Sequence, residues 1–244
     1  MASHIKLIGS SIVLTLFASA FVIAQEKRIA HEDETSAQIP VLHRFHAVIF
    51  PMWHTAWPEK NTAILIELLP GIKHYRDSLS EAQLPGILRD KQEAWTRGIE
   101  KLQAIVTGYE HATSIGDTAA LLDAAEQLHA QYEGLVRITR PVLKELDAFH
   151  QTLYMLYHHY VPDWNLEEIA ASATTLKERM NVLSNAALPD RLKGKEKAFN
   201  TARAKLAESV AALDASVAVY DRGAFTSRVE SMHSDYQALE AIFD

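Results

Sequence analysis

The chain repeats itself. Sliding its 244 residues by 104 lays the later half on the earlier half without a gap, and roughly two dozen identities fall in that one register. Phe45-His46 meets Phe149-His150, His54 meets His158, and Pro58 and Asn61 meet Pro162 and Asn165. Leu79-Ser80 and Leu84-Pro85 meet Leu183-Ser184 and Leu188-Pro189. Lys91, Ala94, Lys101, Leu102 and Val106 meet Lys195, Ala198, Lys205, Leu206 and Val210. Asp117, Glu126, His129, Tyr132 and Leu135 meet Asp221, Glu230, His233, Tyr236 and Leu239. Any fold for this chain must therefore be one that a unit of about 100 residues can adopt twice.

Each unit reads as four helices. Gly and Pro are scarce and sit at punctuation points, and the alternation expected of strands is absent. The spacing places helices from Pro40 to Trp57, Asn61 to Leu79, Ile87 to Ala112 and from Asp117 onward. Their counterparts are Pro141 to Val161, Asn165 to Ser184, Asp190 to Val219 and Asp221 to the end. Leu42, Phe45, Ile49, Trp53 and Ala56 follow a three-then-four rhythm, as do Leu146, Phe149, Leu153, Tyr157 and Tyr160. Short connections imply antiparallel neighbours. The expected architecture is all-α, two tandem up-down-up-down four-helix bundles over residues 39–139 and 140–244, with a bend at Pro141.

Residues 1–24 have the layout of a secretory signal peptide. Lys6 precedes an uncharged apolar stretch from Leu7 to Ala24, which ends in the small residues of a cleavage site. An uncleaved anchor is the rival reading, since about 18 apolar residues just reach the spanning minimum. Residues 25–38 are a polar lead-in. A periplasmic or secreted location follows, with no stable membrane insertion after cleavage. The chain has no Cys, which excludes disulfides, thiolate metal sites, covalent haem attachment and a cysteine nucleophile. A formal charge of −7 argues against nucleic acid as a partner and suits a cation.

The chemistry-bearing residues that recur are histidines. His46 and His129 lie level in an antiparallel bundle, both about 17 Å below the same end at 1.5 Å per residue. Each falls on an apolar stripe of a first or fourth helix, so the two imidazoles are expected to meet inside, and His150 with His233 likewise. Neutral imidazole suits copper, zinc or haem iron. The bland alternative is a polar pair completing the core through mutual or water hydrogen bonds. His43, one turn from His46, and its counterpart Asp147 can complete a three-ligand set, or stand as solvated surface groups. Tyr132 and Tyr236 are candidate hydrogen-bond partners of the ligands. On an ideal helix, His54 and His158 lie about 12 Å along and about 80° around from His46 and His150. They are therefore assigned, with His159, to a possible second metal site near the bundle end or to helix C-terminal capping. Catalytic motifs are missing: there is no phosphate loop, nucleophile elbow or His-Glu-x-x-His. Glu126 and Glu230 stand three residues before His129 and His233, but the inward carboxylates a di-iron site needs do not recur. The chain is read as a binding protein without catalytic residues.

Unit length, export and histidines on the first and last helices resemble the periplasmic four-helix-bundle cytochromes, the non-covalent b-type and the c-prime type. The resemblance covers the architecture of each unit. It implies haem held by His46 with His129, and by His150 with His233. The b-type Met–His pair is not reproduced at these positions, and the c-prime Cys-x-x-Cys-His is absent. The leading expectation is an exported transition-metal-binding protein with one histidine site per bundle, for metal buffering, delivery or sensing. A bis-histidine haem electron carrier and a structural or interaction module are the alternatives.

Overall fold

A computed structural model describes residues 34–140, 143–216, 219 and 221–243. Among these residues the protein is entirely helical. Eight α-helices run in chain order: α1 Pro40–Pro51, α2 Thr62–Glu81, α3 Gln92–Ile115, α4 Thr118–Thr139, α5 Lys144–Met155, α6 Leu166–Ser184, α7 Glu196–Ser216 and α8 Arg222–Glu240. The expected signal segment and the bend at Pro141 lie outside the described residues. No helix among those described is long and apolar enough to cross a membrane.

Shorter elements punctuate the helices at matching places. A π-helical turn follows α1 at Met52–Ala56 and another follows α5 at Leu156–Tyr160. A 3₁₀ turn precedes α3 at Gly86–Lys91 and another precedes α7 at Asp190–Lys195. The sequence reading ran these turns into their neighbouring helices, because apolar periodicity does not distinguish hydrogen-bond classes.

The starts of four helices are fixed by side-chain caps. Asn61 accepts from the Ile64 amide and Asn165 from that of Glu168, while Asp117 and Asp221 accept from Ala120 and Ala224. Each cap satisfies one of the amides that a helix start leaves without a partner. The residues before the two asparagines, Lys60 and Trp164, both adopt left-handed φ, near 52° and 51°. That conformation turns the chain sharply into α2 and α6.

Apolar side chains gather into two main cores. One, from α1–α4, centres on Phe45, Ile49, Met52, Ile72, Leu79, Leu102, Val106, Leu128 and Leu135. The other, from α5–α8, centres on Phe149, Leu153, Leu156, Leu176, Leu183, Leu206, Val210, Met232 and Leu239, the residues 104 positions further on. Within each set consecutive helices pack on one another, and α4 also packs on α1. A small third cluster of Ile87, Leu88 and Tyr154 joins the first 3₁₀ turn to α5.

Replacing Asn61 or Asp117 by Ala is expected to cost about 1 kcal/mol each. Chemical denaturation of the single and double variants checks this, and the two losses should add because the caps serve different helices.

Candidate functional site

The geometry starts from the π turns. In a π turn each amide bonds back five residues instead of four. Here Trp57 N–H bonds to the Met52 carbonyl at 2.9 Å and Val161 N–H to that of Leu156 at 3.0 Å. The turn holds one extra residue, so eight residues rotate the helix about as far as seven would in pure α-helix. His54 is the third residue of its turn, so part of that gain falls before it and its offset from His46 is smaller than the roughly 80° of an ideal helix. His54 and His158 remain about 12 Å further along their helices than His46 and His150, each with one aromatic ring in between. The rings follow one another down the helix. His46 lies 5.8 Å from Phe50 and Phe50 lies 4.6 Å from His54, while His150, Tyr154 and His158 repeat the series at 6.4 and 4.7 Å.

The fourth helix of each half brings a third imidazole alongside. His129 lies flat on Trp53, with ring centres 4.1 Å apart and planes 6° apart. His233 lies flat on Tyr157 at 4.4 Å and 0°. Tyr132 approaches His46 at 5.9 Å, and Tyr236 stacks on His150 at 4.3 Å. His158 and His233 are 6.2 Å apart and nearly perpendicular. Two imidazoles on one tetrahedral ion stand about 5 Å apart between ring centres, given metal–nitrogen bonds of about 2.0 Å. Among the described residues, no group of three or more His, Asp or Glu side chains is placed to hold a metal ion.

The expectation that His46 meets His129 inside a core is corrected by burial. Phe45 takes the inward position on α1, and His46, one residue on, is exposed. His54 is exposed and His129 half-buried. In the second half His150 is buried, at 8% exposure, and His158 and His233 are half-buried. His43 is exposed and outside the line of rings. Asp147 accepts from Gln151 at 3.1 Å and lines a cavity of about 70 Å³ beside His150 and Tyr236. His159 turns away toward Glu34, with Nε2 2.7 Å from its carboxylate.

Comparison with family models, curated proteins and solved structures gives no match.

The function must therefore be argued from the site itself. Burial dominates its electrostatics. It pushes His150 down from the ordinary 6.5 to about 4, against the attraction of Asp90 and with help from His233 and His158. His158 falls to about 4, through burial first and then the Arg89 charge. His233 and His129 are lowered by burial too; Asp90 opposes the shift at His233, and Glu133 opposes it at His129. Burial thus favours the neutral form of all four imidazoles, the form that carries a lone pair for a metal ion.

The second face also receives groups that periodicity could not assign to it. From the first 3₁₀ turn, Arg89 donates to the Tyr154 hydroxyl at 2.8 Å, and its Nη1 stands 3.2 Å from His158 Nδ1. Asp90 Oδ2 lies 3.9 Å from His233 Nε2 and accepts from Gln237 at 3.0 Å. The aromatic partners left one signal in the sequence: Phe50 matches Tyr154, and Trp53 matches Tyr157, in the 104-residue register.

Folding suppresses protonation of His150, so the unfolded chain binds the proton that the folded one refuses. Stability is expected to fall as pH drops from about 6.5 toward 4, with His150 accounting for up to about 3 kcal/mol of the loss. Urea midpoints of wild type and His150→Gln at pH 7.5, 6 and 4.5 check this, and the variant should show the flatter profile.

Proposed function

We propose that the chain is an exported protein of two tandem four-helix bundles, residues 39–139 and 140–244, that binds transition-metal ions through histidines of each bundle. Copper and zinc are the ions of choice. The role is buffering, delivery or sensing of the metal, with no catalysis of its own. The observation that carries the reading is the recurrence of a histidine triplet, His46, His54 and His129, then His150, His158 and His233, beside the π turn of each half. π turns concentrate at functional sites, because the extra residue has to be held in place at a cost to helix geometry. His158 and His233, 6.2 Å apart between ring centres, come nearest to the separation that two ligands of one ion need. The matched caps and matched cores of the two halves support the paired-bundle part of the reading.

The ligand set differs from the one expected from spacing alone. His54 and His158 are added as candidate ligands beside His129 and His233, and Tyr132 and Tyr236 support the first-helix histidines by ring contact. The haem carrier implied by the cytochrome resemblance pairs the same first- and fourth-helix histidines.

One observation favours the structural alternative. The flat stacking of His129 on Trp53 and of His233 on Tyr157 gives each imidazole a packing role. Elemental analysis of untagged protein, prepared without chelator, separates the two. Metal binding predicts copper or zinc bound to the chain, reduced at least tenfold in affinity by alanine at His46 and His129 together with His150 and His233. Protein that neither carries nor takes up copper or zinc leaves the packing role as the account of these residues.

A further inference from the structure

Resting on the metal-binding reading, we propose that the two histidine faces are inequivalent: the first is open to a metal ion, and Arg89 locks the second. The evidence is the contrast between matched positions. Phe50 is 51% exposed, whereas its counterpart Tyr154 is 2% exposed. What covers Tyr154 is the first 3₁₀ turn, through Ile87 and Leu88.

Arg89 closes the site chemically as well as sterically. Guanidinium has N–H donors and no acceptor, so in the 3.2 Å contact His158 Nδ1 must be the acceptor. That contact uses the Nδ1 lone pair and leaves the ring proton on Nε2. Neither nitrogen of His158 can then take a metal ion until Arg89 leaves. Arg89 is held in place by three further contacts: its bond to the Tyr154 hydroxyl at 2.8 Å, its bond to the Gly86 carbonyl at 3.1 Å, and its position 5.2 Å over the Tyr154 ring. The Arg89 charge also repels an incoming cation, opposed by the Asp90 carboxylate 3.9 Å from His233 Nε2, so the lock rests on the His158 contact.

None of this is repeated on the first face. Phe50 lacks the hydroxyl that anchors the guanidinium. The counterpart of Arg89 is Lys193, which pairs with Asp190 in its own turn at 2.8 Å. His46 and His54 are exposed, and the described residues give neither a hydrogen bond.

Zinc or copper titrated into the full-length wild-type protein, read by equilibrium dialysis with elemental analysis, tests the proposal. The expected result is about one tightly bound equivalent, lost in His46→Ala/His129→Ala and retained in His150→Ala/His233→Ala. Arg89→Ala, with Arg89→Gln as a second variant should Ala disturb the fold, is expected to raise the stoichiometry to about two. Two equivalents on wild type, a single equivalent that follows His150 and His233, or no gain in the Arg89 variants overturns the inequivalence and leaves the metal reading standing. No metal on wild type or on either Arg89 variant overturns the metal reading itself, and this inference with it.

Discussion

One change of hydrogen-bond register governs the arrangement of chemistry in this protein. When the chain switches from i→i−4 to i→i−5 bonding at Met52–Ala56 and at Leu156–Tyr160, the helix gains a residue without completing another turn. The turns lie where the histidine faces are: Trp53 and Tyr157 belong to them, and His129 and His233 of the fourth helices lie flat against those rings. The core tolerates the switch because Met52, Ala56 and Leu156 still point inward and are wholly buried.

The two halves bury matched positions but in different environments. Their cores use matched positions, and even a surface ion pair recurs, Lys73 with Glu110 and Lys177 with Asp214. The difference comes from the seam. The first 3₁₀ turn lies against α5 and buries Ile87 and Leu88, whereas the second buries none of its residues. Burial then changes the chemistry of otherwise equal side chains, and the imidazole held near pKa 4 at position 150 belongs to the covered face.

Much of this was legible in the sequence, for identifiable reasons. The helices follow from apolar periodicity, and Asn61, Asp117, Asn165 and Asp221 mark their starts through a local rule that a single residue can satisfy. The repeat makes the histidines visible as a recurring set, whereas the π turns leave no periodic trace over five residues and are not legible in the sequence. His46 was placed inside because its neighbours Leu42 and Ile49 are apolar, yet Phe45 occupies the inward slot. Arg89, Asp90 and Glu34 were beyond reach, since spacing within one unit says nothing about which loop of the other unit lies against it.

The contact between Gly86 and Tyr154 bears on how the two halves can diverge. A side-chain carbon at position 86 would overlap the Tyr154 hydroxyl, so no residue but glycine fits while that tyrosine stays. The matching position, Asp190, is exposed and carries a full side chain. A side chain at position 86 therefore requires Tyr154 to move, while the exposed Asp190 meets no such condition, so the covered turn carries a packing constraint that the uncovered one lacks.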